Sequence, residues 1–220
     1  KNDLKTARSN LNEKQALIWE YFVPRKLIDF LYATNNEKSG KPIERIFIDI
    51  DRGQGISSEQ ARRIAKLLVE EIKKDKELSE LVKFKIFIMW TGSSFHVYLM
   101  LNKKISNALY ENYFSYSKET PLESFIGKWA SAIQKKVKFK VSGGHEKIAN
   151  AVNLDPSQTP SGKLARTPFS LHMKSDKEID GVALPISEKQ LSDKQLVKKL
   201  KAYTPELVLK DVTKLCKLLP

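Results

Sequence analysis

The chain has 220 residues, a formal net charge of +13 from 39 Lys plus Arg against 26 Asp plus Glu, and a single cysteine. That length suits one large domain or a compact core with appendages, and it buries a substantial core without disulfide staples. Cys216 alone excludes an internal disulfide framework and a cysteine zinc site, and it fits a reducing cytoplasm. No apolar run reaches the roughly 20 residues that cross a bilayer, so no membrane partner is expected, and the polar start KNDLKTARSN is not a signal peptide. The positive excess favours a polyanion, nucleic acid ahead of a membrane surface; the alternative is a lysine-rich surface that serves solubility or thermal stability.

Residues 11–33, LNEKQALIWEYFVPRKLIDFLYA, carry an amphipathic pattern that predicts a helix interrupted at Pro24. NNEKSGKP is a turn-rich break, which sets residues 1–40 apart as an N-terminal helical segment. IERIFIDID predicts a strand and SSEQARRIAKLLVEEIKKD a helix, with Ser57 and Gln60 at capping-box spacing and Ala61, Ile64, Leu67, Leu68 and Ile72 on one stripe. FKIFIMW and HVYLML predict a hairpin around TGSSF. Residues 107–137 read as helical, KVKFKVS as a short basic strand, and IANAVNLDP leads into a third acidic position. LARTPFSLHMK is extended. The order β-α-β-β-α-β with a later strand pair makes the chain α+β, helices on a mostly antiparallel sheet. Residues 41–186 form the expected core and 187–220 a helical tail or linker to a further domain.

Within FIDID, Asp49 and Asp51 are two residues apart and project from the same face of a strand, with Phe47 beside them. Two like charges one pleat apart need compensation, either from Arg45 or Arg52 or from a divalent cation of the magnesium or manganese kind. Asp155 in NLDP is a candidate third carboxylate, or a turn residue before proline. TGSSFHVYL places small residues and hydroxyls before a strand, with Ser94 and His96 on one face. This arrangement can hold a triphosphate, or it is a plain hairpin whose histidine caps a strand end. GKLARTPFSLHMK supplies Lys163, Arg166, His172 and Lys174 around Phe169, a set suited to phosphates or an exposed basic loop.

Taken in order, FIDID, SFH before an apolar strand, and an apolar residue with Asp in NLDP resemble the D-x-D, S-x-H and apolar-Asp motifs of the archaeo-eukaryotic primase superfamily. RTPFSLHMK resembles the Arg-x-Pro and Ser-Leu-His stretch of archaeal primase catalytic subunits. The resemblance spans roughly residues 43–175 and implies an RRM-like βαββαβ half facing a second α/β half, with the site in the cleft between them. It implies that Asp49, Asp51 and Asp155 hold two divalent ions, Mg2+ or Mn2+, at a catalytic centre. By the same resemblance Ser94, His96, Arg166 and His172 contact nucleotide or primer-template phosphates, and Lys163 and Lys174 bind nucleic acid. The implied activity is metal-dependent, template-directed nucleotidyl transfer that makes or extends primers on single-stranded DNA from nucleoside triphosphates. A helicase or an accessory helical domain is the further partner. The zinc-binding insertion of archaeal subunits has no counterpart here, because one Cys and three His cannot build it. This points to a compact primase-polymerase of the plasmid or viral kind, or to an end-joining-type repair polymerase. Two other readings use the same residues: an RRM-like nucleic-acid-binding module without catalysis, and a metal-dependent nuclease.

Overall fold

The computed structural model describes residues 31–146, 148–173 and 179–220. Among these described residues ten strands run in chain order: β1 (Leu31–Ala33), β2 (Ile43–Arg52), β3 (Phe84–Trp90), β4 (Phe95–Ile105), β5 (Lys140–Gly143), β6 (Ala151–Asp155), β7 (Leu164–Arg166), β8 (Leu171–Met173), β9 (Ile179–Val182) and β10 (Leu184–Ile186). The helices are α1 (Ser58–Lys74), α2 (Lys76–Leu81), α3 (Asn107–Tyr113), α4 (Phe125–Gln134), α5 (Leu196–Lys201) and α6 (Pro205–Cys216), with 3-10 turns at Pro121–Glu123 and Glu188–Ser192.

A six-stranded sheet of order β10-β3-β4-β2-β6-β5 forms the centre of the fold. Its ladders are antiparallel except β5–β6, which is parallel. This is the α+β class that the element order predicts, with a mixed sheet. Period-2 alternation divides β2 cleanly: Ile46, Ile48 and Ile50 point to the helical layer, and Phe47, Asp49 and Asp51 to the other face. On the helical side α1 buries Ala61, Ile64, Ala65, Leu68 and Ile72, and its start carries the expected capping box between Ser57 and Gln60. Asp75 joins two elements there. One carboxylate oxygen accepts the Leu78 N–H at the start of α2, and the other accepts the Trp129 indole N–H from α4 at 2.8 Å.

The opposite face carries a smaller cluster of Phe47, Phe87, Met89, Tyr98, Ala165 and Ala183. Ala165 belongs to β7, which pairs antiparallel with β1, and Tyr32 of β1 packs on the cluster. Leu31–Ala33 is therefore strand and not the end of a helix. Three residues tied by a ladder to Leu164–Arg166 obey their partner strand and not their own amphipathic pattern. The rest of the expected N-terminal helix, residues 11–30, lies outside the described residues. The basic strand of KVKFKVS begins only at Lys140. From residue 188 onward the chain forms a 3-10 turn, α5 and α6, and Val208 and Leu215 of α6 are buried.

Candidate active site

The strand registers bring the key residues into one row. Asp49 of β2 faces His96 of β4 on one side and Asp155 of β6 on the other. Directly opposed residues share a sheet face, with Cβ atoms about 5 Å apart, so Asp49 and Asp155 meet across the ladder although 106 positions separate them. Asp51, one pleat along, faces Asn153. Asp155 is buried, and its Oδ1 accepts the Ser157 N–H at 2.8 Å.

A cavity of about 360 Å³ opens over this row, lined by Asp49, Asp51, Arg52, Thr91, Ser93, Ser94, His96, Arg166 and His172 among others. Six of the nine predicted site residues therefore line one space. Asp155 stands beside it in the ladder. Lys163 is exposed on the loop before β7 and does not line the cavity, and Lys174 lies outside the described residues.

Local chemistry explains how each group is held. The 91–94 turn closes on itself: Thr91 Oγ1 accepts the Ser94 N–H, and Thr91 N–H donates to Ser94 O. The Ser94 amide is thus committed within the turn and is not open to an anion. The Ser94 hydroxyl donates to Ile50 O, and the Ser58 hydroxyl donates to Ser93 O, which fastens the turn to β2 and to the start of α1. Gly92, at φ +101, is where the β8–β9 hairpin rests: a Cβ there would come within 2.6 Å of the His172 Cβ and 3.2 Å of Gly181. Arg166 Nη1 donates to Leu171 O at 2.9 Å, and His172 Nδ1 pairs with Asp180 Oδ2 at 3.1 Å. Arg166 and Asp180 thereby hold Leu171 and His172 of β8 at the cavity wall.

His96 is buried, with Nε2 3.5 Å from Asp49 Oδ1 and Nδ1 3.4 Å from the Tyr98 hydroxyl. Burial, reinforced by the Arg166 and His172 charges, drives its pKa down to about 3, so the ring is neutral. Tyr98 is fully buried, its pKa is raised chiefly by that burial, and its hydroxyl accepts from Tyr32 at 3.3 Å. Arg52 Nη1 donates to Ile56 O at 2.9 Å; burial lowers its pKa and the Asp180 carboxylate opposes the shift. Arg45 reaches Thr34 O at 3.2 Å.

Among the described residues no group of three His, Cys, Asp or Glu is close enough to hold a metal ion as it stands. The donors nevertheless suit a hard divalent cation: two carboxylates opposed across a ladder repel, and a cation between them would relieve that cost. No helix among the described residues is long and apolar enough to cross a membrane.

No protein-family model and no curated protein matches the sequence. Among solved structures, the polymerase domain from Mycobacterium tuberculosis ligase D in complex with DNA aligns with a TM-score of 0.54 at 18% identity. The chain shares the fold of that polymerase domain. The match covers 88% of this chain and 64% of that one, so the chain spans less than two thirds of the neighbour's length. In this polymerase-domain fold, Tyr32, Arg52, Thr91, Tyr98 and Asp180 join the site without having been singled out from sequence as site residues. Tyr98, two residues after His96 on the same strand face, carried a readable signal. Tyr32 and Asp180 carried none, since non-local pairings bring them in.

Proposed function

We propose that the chain is a metal-dependent, template-directed nucleotidyltransferase that makes or extends primers on single-stranded DNA. The observation that carries this reading is the row His96–Asp49–Asp155, set beside a cavity that also gathers Asp51, Ser94, Arg166 and His172, on a polymerase-domain fold. The strand order β6-β2-β4-β3 supports an RRM-like half, and the β1–β7 and β8–β9 ladders supply the facing wall.

Asp49, Asp51 and Asp155 would hold two divalent ions, Mg2+ or Mn2+. Bound there, the ions would lower the pKa of an attacking hydroxyl and neutralise charge on the phosphates. Arg166 and His172 face the cavity from the opposite wall and would take the triphosphate oxygens, while neutral His96 would donate from the sheet. The Asp180 carboxylate would keep the His172 ring turned so that its far nitrogen meets the substrate. Lys163 and Lys174 would follow the nucleic-acid backbone outside the cavity, and a helicase or helical accessory domain would be a further partner.

The ligase origin of the structural neighbour favours a second reading, an end-joining-type repair polymerase that extends a recessed end. Both are tested together. Labelled nucleotide incorporation with Mg2+ or Mn2+ is compared on bare single strands, primed templates and gapped duplexes, for the wild type beside Asp49→Ala/Asp51→Ala. Products without a supplied primer establish a primase, and products only on primed or gapped DNA a repair polymerase. No incorporation on any substrate rejects both. Independently of activity, saturating Mn2+ should raise the Tm of the wild type by several degrees and leave Asp155→Asn nearly unchanged, because binding to the native state alone stabilises it. Equal shifts in the two proteins would remove Asp155 from the ligand set.

A further inference from the structure

Arg52 ends β2 one residue past Asp51, and it lines the cavity. Successive strand residues leave opposite faces, so these two neighbours part at the backbone. Among the described residues Arg52 forms no ion pair and a single hydrogen bond, from Nη1 to Ile56 O at 2.9 Å. Neutralising the paired aspartates, one of the compensations that the sequence allowed, is therefore not its use in the fold. We propose that Arg52 is a further phosphate-contacting residue, which takes the outer phosphates of a bound nucleoside triphosphate. The proposal rests on the nucleotidyltransferase reading and adds to it a residue that no motif assigns.

How an arginine spends its donors separates a scaffold role from a poised one. A guanidinium carries five N–H groups in a planar fork. Arg62 of α1 spends that fork inside the protein: Nε and Nη2 donate to the Glu59 carboxylate and Nη1 to Leu191 O, which pins α1 to the Glu188–Ser192 turn. Arg52 is partly buried as well, yet only one of its N–H groups has a partner among the described residues. Donors left over on a partly buried cation call for water or an oxyanion, and the fork geometry suits phosphate.

The one bond that Arg52 makes sets where its head lies. Ile56 precedes the Ser57 cap of α1, and Ser58 donates to Ser93 O in the 91–94 turn. The guanidinium is thereby held on the α1 side of the cavity, next to a turn whose Ser94 amide is already committed. The Asp180 carboxylate acts on Arg52 from β9 and also pairs with His172 Nδ1, so both groups share one counter-charge at the same end of the cavity. Three residue steps of about 3.3 Å along β2 separate the Asp49 row from Arg52. A triphosphate with its α-phosphorus at the aspartates therefore presents its outer phosphates to Arg52.

Isothermal titration calorimetry of the full chain with Mn2+ tests this, using an α,β-methylene nucleoside triphosphate beside the matching diphosphate and the monophosphate. The wild type is expected to prefer the triphosphate. Arg52→Gln should weaken triphosphate binding about tenfold to hundredfold, the worth of charge-assisted hydrogen bonds, and leave the monophosphate within about twofold. Arg52→Lys keeps the charge without the fork and should recover part of the loss. A wild type without preference for the triphosphate, an unchanged triphosphate affinity in Arg52→Gln, or an equal loss for all three nucleotides would overturn the proposal and leave the polymerase reading in place. Loss of the fold in both variants would assign Arg52 to the scaffold and overturn it as well. A wild type that binds none of the three nucleotides would end the polymerase reading, and the proposal with it.

Discussion

His96 shows how burial and charge set the state of a single side chain in this site. Its ring lies beside the Asp49 carboxylate, which favours protonation, yet burial, with smaller contributions from Arg166 and His172, prevails and the pKa falls to about 3. The unfolded chain takes the proton near the ordinary value of about 6.5. Between about 6.5 and 3 the unfolded state therefore binds more protons, and stability declines as pH falls through that window; above it the group contributes no pH dependence. Urea denaturation from pH 7 to pH 4 should show a steeper acid decline in the wild type than in His96→Gln. Identical slopes would mean that folding leaves the His96 pKa near its ordinary value. On the opposite wall His172 is held from Nδ1 by Asp180, so both histidines reach the cavity with one nitrogen already committed.

At the scale of elements, two connections depend on close backbone approaches. Gly127 lies in the first turn of α4, and a Cβ there would stand 1.5 Å from the carbonyl oxygen of Pro121. Helix propensity alone predicts that Gly127→Ala adds about 1 kcal/mol of stability. The contact predicts the opposite: α4 must move off the Pro121–Glu123 turn, at a cost of roughly 1–3 kcal/mol typical of overpacking. Thermal and urea unfolding of the variant decide the sign, and a gain in stability would show that α4 can slide without penalty. The same logic holds at Gly53, where a Cβ would meet the Ile148 carbonyl oxygen at 1.8 Å, just past the end of β2. The Pro121–Glu123 turn against α4 and the loop after β2 are thus held by close approaches that a Cβ would block.

Across the whole molecule the excess of 13 positive charges should govern association with a polyanion. If the cations follow a nucleic-acid backbone, affinity for a single strand should fall linearly in log–log form as salt rises, by about 0.7 per phosphate neutralised. Fluorescence anisotropy with a labelled oligonucleotide over a salt series measures this slope. A flat response would assign the lysines to surface solvation, which their many exposed carboxylate partners already suggest in part, as in the Lys104–Glu44 and Lys128–Glu77 pairs.

Local sequence was enough to place Asp49 and Asp51 on one face, to cap α1 with Ser57 and Gln60, and to put Ser94 and His96 together before an apolar strand. Each of these follows from a short-range period or spacing that the backbone imposes. The motif order also brought Arg166 and His172 into consideration. The pairings themselves were settled elsewhere. Nothing near Asp155 says that it faces Asp49, nothing in LYA says that Tyr32 reaches Tyr98, and nothing in the hairpin says that Asp180 turns back onto His172. The sequence by itself determined which face of a strand each residue occupies. Only the tertiary structure decided which residue stands opposite, because strand partners and registers are set by the packing of segments far apart in the chain, and local periodicity does not encode them.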